Sequence, residues 1–318
     1  MKPLREHVDD ELLSGTVTER ERRMPSGLSP SSIDLYHQCP RKFEWEKVDG
    51  NYGGTGEAAV KGTFVHRVLE LLMQHDPDDR TPDMARLHMG EAFNEMLVND
   101  EFRSLSLPDD EVRDFRRDAW TSVRRYFEME DPRSINVVST EEYVEAEVEG
   151  VPLRGIIDRL EYDMLDDLVV TDYKNGKVPL PRYRAPKMRQ LNLYAALVEA
   201  SRGERPVAGR LVFTAFGEVI DTNFTDESVG AAVEDAMGVW AAAHDDYRDG
   251  EFAPNPGPLC GWCPVVAECA EGKKDILKRA KGGRLGDHAP AWDIVPELVE
   301  IRESRRAKAD FASDESLF

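Results

Sequence analysis

The chain reads as an α/β protein built on a small mixed sheet flanked by helices, and three features of its 318 residues say so. Residues 62–130 carry apolar side chains at helical spacing. From residue 135 the period changes to alternation, and two strand-like runs, 151–162 and 168–174, are separated by five turn residues, the pattern of a hairpin. A helix (187–201), two strands (207–224) and another helix (226–248) follow. This order is not the repeated strand–helix alternation of a doubly wound fold. No G-x-x-x-x-G-K-[ST] run occurs, so the sequence shows no P-loop.

Each element has a local reason. Residues 1–27 mix both charge signs with little apolar periodicity and read as a flexible arm. Order begins at Leu28-Ser29-Pro30-Ser31-Ser32, where a serine can cap a helix through Ile33, Leu35 and Tyr36, and Pro40 ends or bends it. Val65, Val68, Leu69 and Leu72 repeat at intervals of three and four, which marks a helix over 62–74. Asp76 to Arg80 break it, and 83–130 read as two or more helices with acidic outer faces. Residues 135–149 alternate as a strand. A main unit is therefore expected over 28–270, including the helical region 62–130, with a charged, partly helical tail at 271–318.

Asp and Glu number 62 against 41 Lys and Arg, a net charge of −21 and a pI near 4.8. Taken as a whole, that excludes a general nucleic-acid binder, which carries a basic footprint. The acid is uneven, however. Residues 218–251 hold ten acidic and one basic residue, whereas 174–189 hold six basic residues and no acidic one. No run reaches the ~20 apolar residues of a membrane span, and the charged first 24 residues lack a signal-peptide core. A soluble protein of the cytoplasm, without membrane partners, is expected.

The hairpin carries the strongest chemical signal. Asp172 and Lys174 are two apart on a strand and share a face, with Tyr173 pointing away. A hairpin centred on Leu165 sets Asp158 opposite Asp172. Facing carboxylates repel and raise one pKa, and a divalent cation between them removes that penalty. Oxygen ligands suit Mg²⁺ or Mn²⁺, and Lys174 could orient a water or offset charge on a phosphate. Alone, a D-x-K triplet also fits an ordinary exposed strand end. Gln190 and Tyr194 are four apart on one helix face and can reach such a site, or be a solvated Gln and a half-buried Tyr. His66, one turn after Gly62, is a candidate metal ligand or a core histidine.

Cys39 lies far from Cys260, Cys263 and Cys269, which are spaced C-x2-C-x5-C. Two disulfides are disfavoured inside a cell. Four thiolates fit Zn²⁺ or an iron–sulfur cluster.

Taken in order, these residues resemble the PD-(D/E)xK nuclease superfamily, in particular its RecB-like exonuclease branch, which includes CRISPR-associated adaptation nucleases and phage-encoded relatives. The matching elements are S-x-S-x-x-x-x-Y-x-x-C-P (Ser29 to Pro40), G-x-x-x-H (Gly62 to His66), G-x-x-D (Gly155 to Asp158), D-Y-K (Asp172 to Lys174), Q-x-x-x-Y (Gln190 to Tyr194) and the cysteine cluster. The resemblance implies a restriction-endonuclease-like core with a helical insertion. It implies a Mg²⁺ or Mn²⁺ site of His66, Asp158, Asp172 and the Tyr173 carbonyl, with Lys174 acting on water and Gln190 and Tyr194 beside it. Iron-containing members of the branch share the cysteine layout, which implies a 4Fe-4S cluster, with Zn²⁺ as the alternative, stapling the two ends of the core together.

The resulting expectation is a metal-dependent exonuclease on single-stranded DNA ends, in repair, recombination or replication processing, in a bacterium or a phage-infected cell. The alternatives are a CRISPR adaptation nuclease trimming spacer precursors, or a non-catalytic DNA-binding subunit. Lys177, Arg182, Tyr183, Arg184, Lys187 and Arg189 are the expected DNA contacts, with Tyr183 as a stacking surface. Arg41, Lys42, Phe43 and Trp45 are read as a second wall. A separate helicase or an integrase is the expected protein partner. The last five residues, Asp314 to Phe318, weakly resemble a sliding-clamp docking motif, although a frayed terminus explains them as well.

Overall fold

The computed structural model describes residues 22–303. Most of the N-terminal arm and the clamp-like terminus at 314–318 lie outside the described residues. Ten α-helices are described: α1 Pro30–Gln38, α2 Pro40–Phe43, α3 Glu57–Met73, α4 Pro82–Met96, α5 Asp100–Ser104, α6 Asp109–Met129, α7 Ala185–Arg202, α8 Asp226–Asp249, α9 Ala270–Lys281 and α10 Ala291–Ile294. Five strands, β1 Asn136–Val148, β2 Val151–Tyr162, β3 Leu168–Lys174, β4 Ala208–Phe213 and β5 Glu218–Asn223, form one sheet in chain order. Of the four pairings between the described strands, β3–β4 alone is parallel, and α7 makes the crossover it requires.

Both faces of the sheet are covered, which is why β3 is buried along nearly its whole length. Leu211 and Phe213 of β4 join a core with Ile33, Phe43, Leu160, Val170, Leu197 and Ala236, beneath α1, α7 and α8. Val212, between them, joins a second core with Tyr173 and the helical layer of α3, α4 and α6. The period-2 alternation of one strand thus divides the molecule into two cores. Ser29 caps α1 through a reciprocal capping box with Ser32, as its position suggests. Cys39 breaks that helix and Pro40 starts α2.

Beyond 270 the charged segment continues as packed structure. Ile276, Leu285, Trp292 and Leu298 form a third core against Val266, with Cys260 and Cys263 packed on it. Among the described residues, no helix is long and apolar enough to cross a membrane.

Candidate active site

The β2–β3 ladder pairs Arg159 with Thr171 and Tyr162 with Leu168, the register of a hairpin centred on Leu165. Asp158 and Asp172 are the next residues on the two strands. Here the ladder gives way to a side-chain bond, as the amide of Tyr173 donates to Asp158 Oδ2 at 2.6 Å. Asp158 is 9% and Asp172 2% exposed. Burial first, and the charge of Asp172 second, push the Asp158 carboxyl well above the usual carboxylate range.

Asp172 is held from two sides. Lys174 Nζ lies 2.6 Å from its Oδ2, on the shared strand face, and Gln190 of α7 donates to its Oδ1 at 2.9 Å. Oδ2 is buried, and the Lys174 ammonium is its partner. Gln190 also donates to the Tyr194 hydroxyl at 3.1 Å. A Cβ on Gly155 would stand 2.6 Å from the Tyr194 ring, so the glycine of G-x-x-D makes room for the tyrosine of Q-x-x-x-Y.

His66 arrives from α3 in the other layer. Its Nδ1 lies 3.6 Å from Asp158 Oδ2 and 4.0 Å from Glu141 Oε1. The Tyr173 ring meets the His66 ring edge-on, with centroids 5.9 Å apart. Burial lowers the His66 pKa, against the opposing pull of Asp172, and favours the neutral, ligating imidazole. The Tyr173 side chain points into this same helical layer, beside His66 and Tyr126, and its hydroxyl accepts from the fully buried Arg159 at 2.7 Å. Arg159 is also ion-paired to Glu130 and Glu161. This network holds β2 and β3 from behind.

Glu141 is the residue that motif reading missed. One ligand atom each from His66, Glu141 and Asp158 lie within 4.8 Å of one another, a group able to hold a metal ion. Asp172 stands just beyond this trio. Glu141 has φ of 46°, a left-handed conformation inside a strand, where a non-glycine residue is strained. Its flanking residues pair normally, Thr140 with Arg159 and Glu142 with Ile157. Burial, then the charge of Asp158, raise its pKa to about 7. A signal existed: Glu149 and Gly150 both have positive φ, a two-residue hairpin turn, and counting back from it puts Glu141 opposite Asp158.

The expected DNA contacts fare unevenly. Lys177 and Tyr183 are exposed, and Arg182 stacks on Tyr183 at 4.9 Å. Arg184 donates to the Pro179 carbonyl. Half-buried Lys187 lies within electrostatic reach of Lys174 and Asp172. Arg189 departs from expectation, because its guanidinium is already paired with Asp34 and Asp235. The second wall is corrected as well. Phe43 is fully buried in the core, Arg41 is paired with Glu44, and Lys42 faces the cysteines.

All four cysteines are free and line one small pocket, with Arg41 and Lys42 in its wall. Three of the sulfurs accept a backbone N–H, from Asn255 to Cys39, Gly257 to Cys260 and Gly272 to Cys269. Burial pushes the Cys260 and Cys263 thiols up.

Residues 27–270 match the family described as the PD-(D/E)XK nuclease superfamily. No curated protein matches. Among solved structures, the chain is similar to the crystal structure of a "Putative exonuclease" from Eubacterium rectale, at 14% identity and a TM-score of 0.49, covering 81% of this chain and 92% of that one. The crystal structure of SSO0001 is similar at 12% identity and a TM-score of 0.36, over 78% of this chain and 87% of that one. The family match spans most of the chain and every strand of the sheet, so this protein belongs to the PD-(D/E)XK nuclease superfamily and is a hydrolase of the nuclease class.

Proposed function

We propose that the protein is a metal-dependent deoxyribonuclease that degrades single-stranded DNA from its ends, with residues 28–270 as the nuclease unit. The observation that carries the catalytic reading is the convergence of His66, Asp158, Asp172 and Lys174 from both layers of the fold. The donor set, a neutral imidazole with carboxylates gathered around it, fits Mg²⁺ or Mn²⁺. His66, Asp158, Asp172 and the Tyr173 carbonyl hold the ion, with Glu141 added. Such an ion polarises a phosphodiester and lowers the pKa of a bound water. Lys174 orients the attacking water and offsets phosphate charge. Gln190, with Tyr194 behind it, fixes Asp172. Lys177, Arg182, Tyr183, Arg184 and Lys187 meet the DNA backbone and bases, since the loop has no acidic residue to cancel them.

Linear and circular single strands, incubated with Mg²⁺, Mn²⁺ or EDTA, test this. Linear strands should vanish only with metal, and circles should persist. Equal loss of circles would reject action from ends.

Glu141 allows a second check. Its folded pKa of about 7 lies above the ordinary 4.5, so the unfolded chain loses that proton first. In the metal-free protein this costs stability progressively as pH rises from about 4.5 to about 7. Glu141→Gln should therefore gain stability relative to wild type across that window and show a smaller Mn²⁺-induced rise in melting temperature at pH 8. An undiminished Mn²⁺ effect would remove Glu141 from the ion site.

We also propose that Cys39, Cys260, Cys263 and Cys269 hold a 4Fe-4S cluster. What supports it is the pocket shared by four free thiols and the N–H donated to the sulfurs of Cys39, Cys260 and Cys269, an arrangement that stabilises thiolates and tunes such clusters.

A further inference from the structure

We propose that a cleft just past Lys174 seats one nucleobase flanking the scissile phosphate, an inference that rests on the nuclease reading above. The cleft, of about 590 Å³, falls in the size range of small-molecule sites, roughly 300–1,000 Å³. Its walls are the first turns of α3 (Glu57, Lys61), the face of α6 (Asp118, Thr121, Arg125), Asn175, and Phe216 in the β4–β5 turn. β3 and β4 run parallel, so Asn175 and Phe216 both lie beyond the C-terminal ends of these strands, where open α/β sheets bind ligands.

The charges here differ from those of the basic loop. Lys61 lies 3.2 Å from Glu57 and 3.3 Å from Asp118, and Arg125 donates to the Ala215 carbonyl. Two carboxylates thus balance two cations, so the cleft has no excess charge for a phosphate. With the Thr121 hydroxyl donating to the Arg117 carbonyl and the Asn175 Oδ1 accepting from Thr214, it offers the Thr121 oxygen as an acceptor, the Asn175 amide NH₂ as a donor, and one aromatic face. Phe216 is 48% exposed, although a phenyl ring favours burial. Its turn is fixed. The amides of Phe216 and Gly217 both donate to the Phe213 carbonyl, at 3.0 and 2.9 Å, and Gly217 has φ of 70°, which glycine adopts freely. A neutral, flat ligand with hydrogen-bonding edges, stacked on the ring, matches these walls. A nucleobase has that chemistry, and its phosphate would lie toward Lys174.

The test uses the full chain and end-labelled single strands in Mn²⁺, with an abasic nucleotide placed in turn on each side of the scissile bond. Wild type should cleave one abasic substrate about tenfold more slowly than normal DNA, within the range of base–aromatic stacking. Phe216→Ala should cleave normal DNA with a similar deficit and no longer distinguish the two, and Phe216→Trp should restore discrimination. If wild type treats base and abasic site alike, or if Phe216→Ala still distinguishes them, the base seat is wrong. Lys174→Ala separates the two readings. A Lys174→Ala protein as active as wild type would overturn the placement of the active site at Lys174, on which the seat depends. An inactive one, with no abasic effect in wild type, overturns only the base seat.

Discussion

Lys174→Ala is expected to lower cleavage of single-stranded DNA by on the order of 10³-fold, the scale of removing a single group that stabilises transition-state charge. The side chain is half-buried, reaches Asp172 Oδ2 and stands at the end of β3 beside the Gln190 contact. None of the three cores contains it, so the variant should remain folded, with unfolding close to wild type. It should also still bind Mn²⁺, because His66, Glu141, Asp158 and Asp172 are untouched. The measurement is initial rate at saturating metal, with calorimetric titration of Mn²⁺ alongside. Equal rates for the two proteins would defeat the role given to Lys174. A lost rate with lost metal binding would recast Lys174 as a support for Asp172.

The second large effect is expected at Cys39. Cys39→Ala should lose most of its bound iron and melt roughly 10 °C or more below wild type, since metal-ligand free energy in such a site is folding free energy. Cys39 ends α1, whereas Cys260, Cys263 and Cys269 precede and cap α9. The pocket between them is where the start of the core meets its end, with Asn255 bonding both the Cys39 sulfur and the Gln38 carbonyl. Iron per chain and the melting curve are the readouts. Full iron content in Cys39→Ala would sink the four-ligand arrangement, and zinc in place of iron in wild type would decide for the alternative metal.

Much of the fold and most of the site were legible in the sequence. The limits of β2 and β3 coincide with the alternating runs, and the five-residue turn placed Asp158 against Asp172. Glu141 was hidden because its neighbours alternate as an ordinary strand, while its own left-handed φ aims it at His66. Arg189 looked available because its partners, Asp34 and Asp235, lie 155 and 46 residues away in the chain. Phe43 looked like a surface aromatic because nothing nearby in sequence shows that Tyr36 and Phe252 close over it.

By itself, then, the sequence determined the elements, the hairpin register and the D-Y-K face, all set by side-chain period and turn length over fewer than about twenty residues. Only the tertiary structure decided which charges cancel, that His66 crosses from the helical layer to Asp158, that Cys39 shares a pocket with the three clustered cysteines, and that a balanced cleft opens beside Lys174. These depend on the packing of elements far apart in the chain. Burial and Coulombic neighbours act through space, whatever the separation along the backbone.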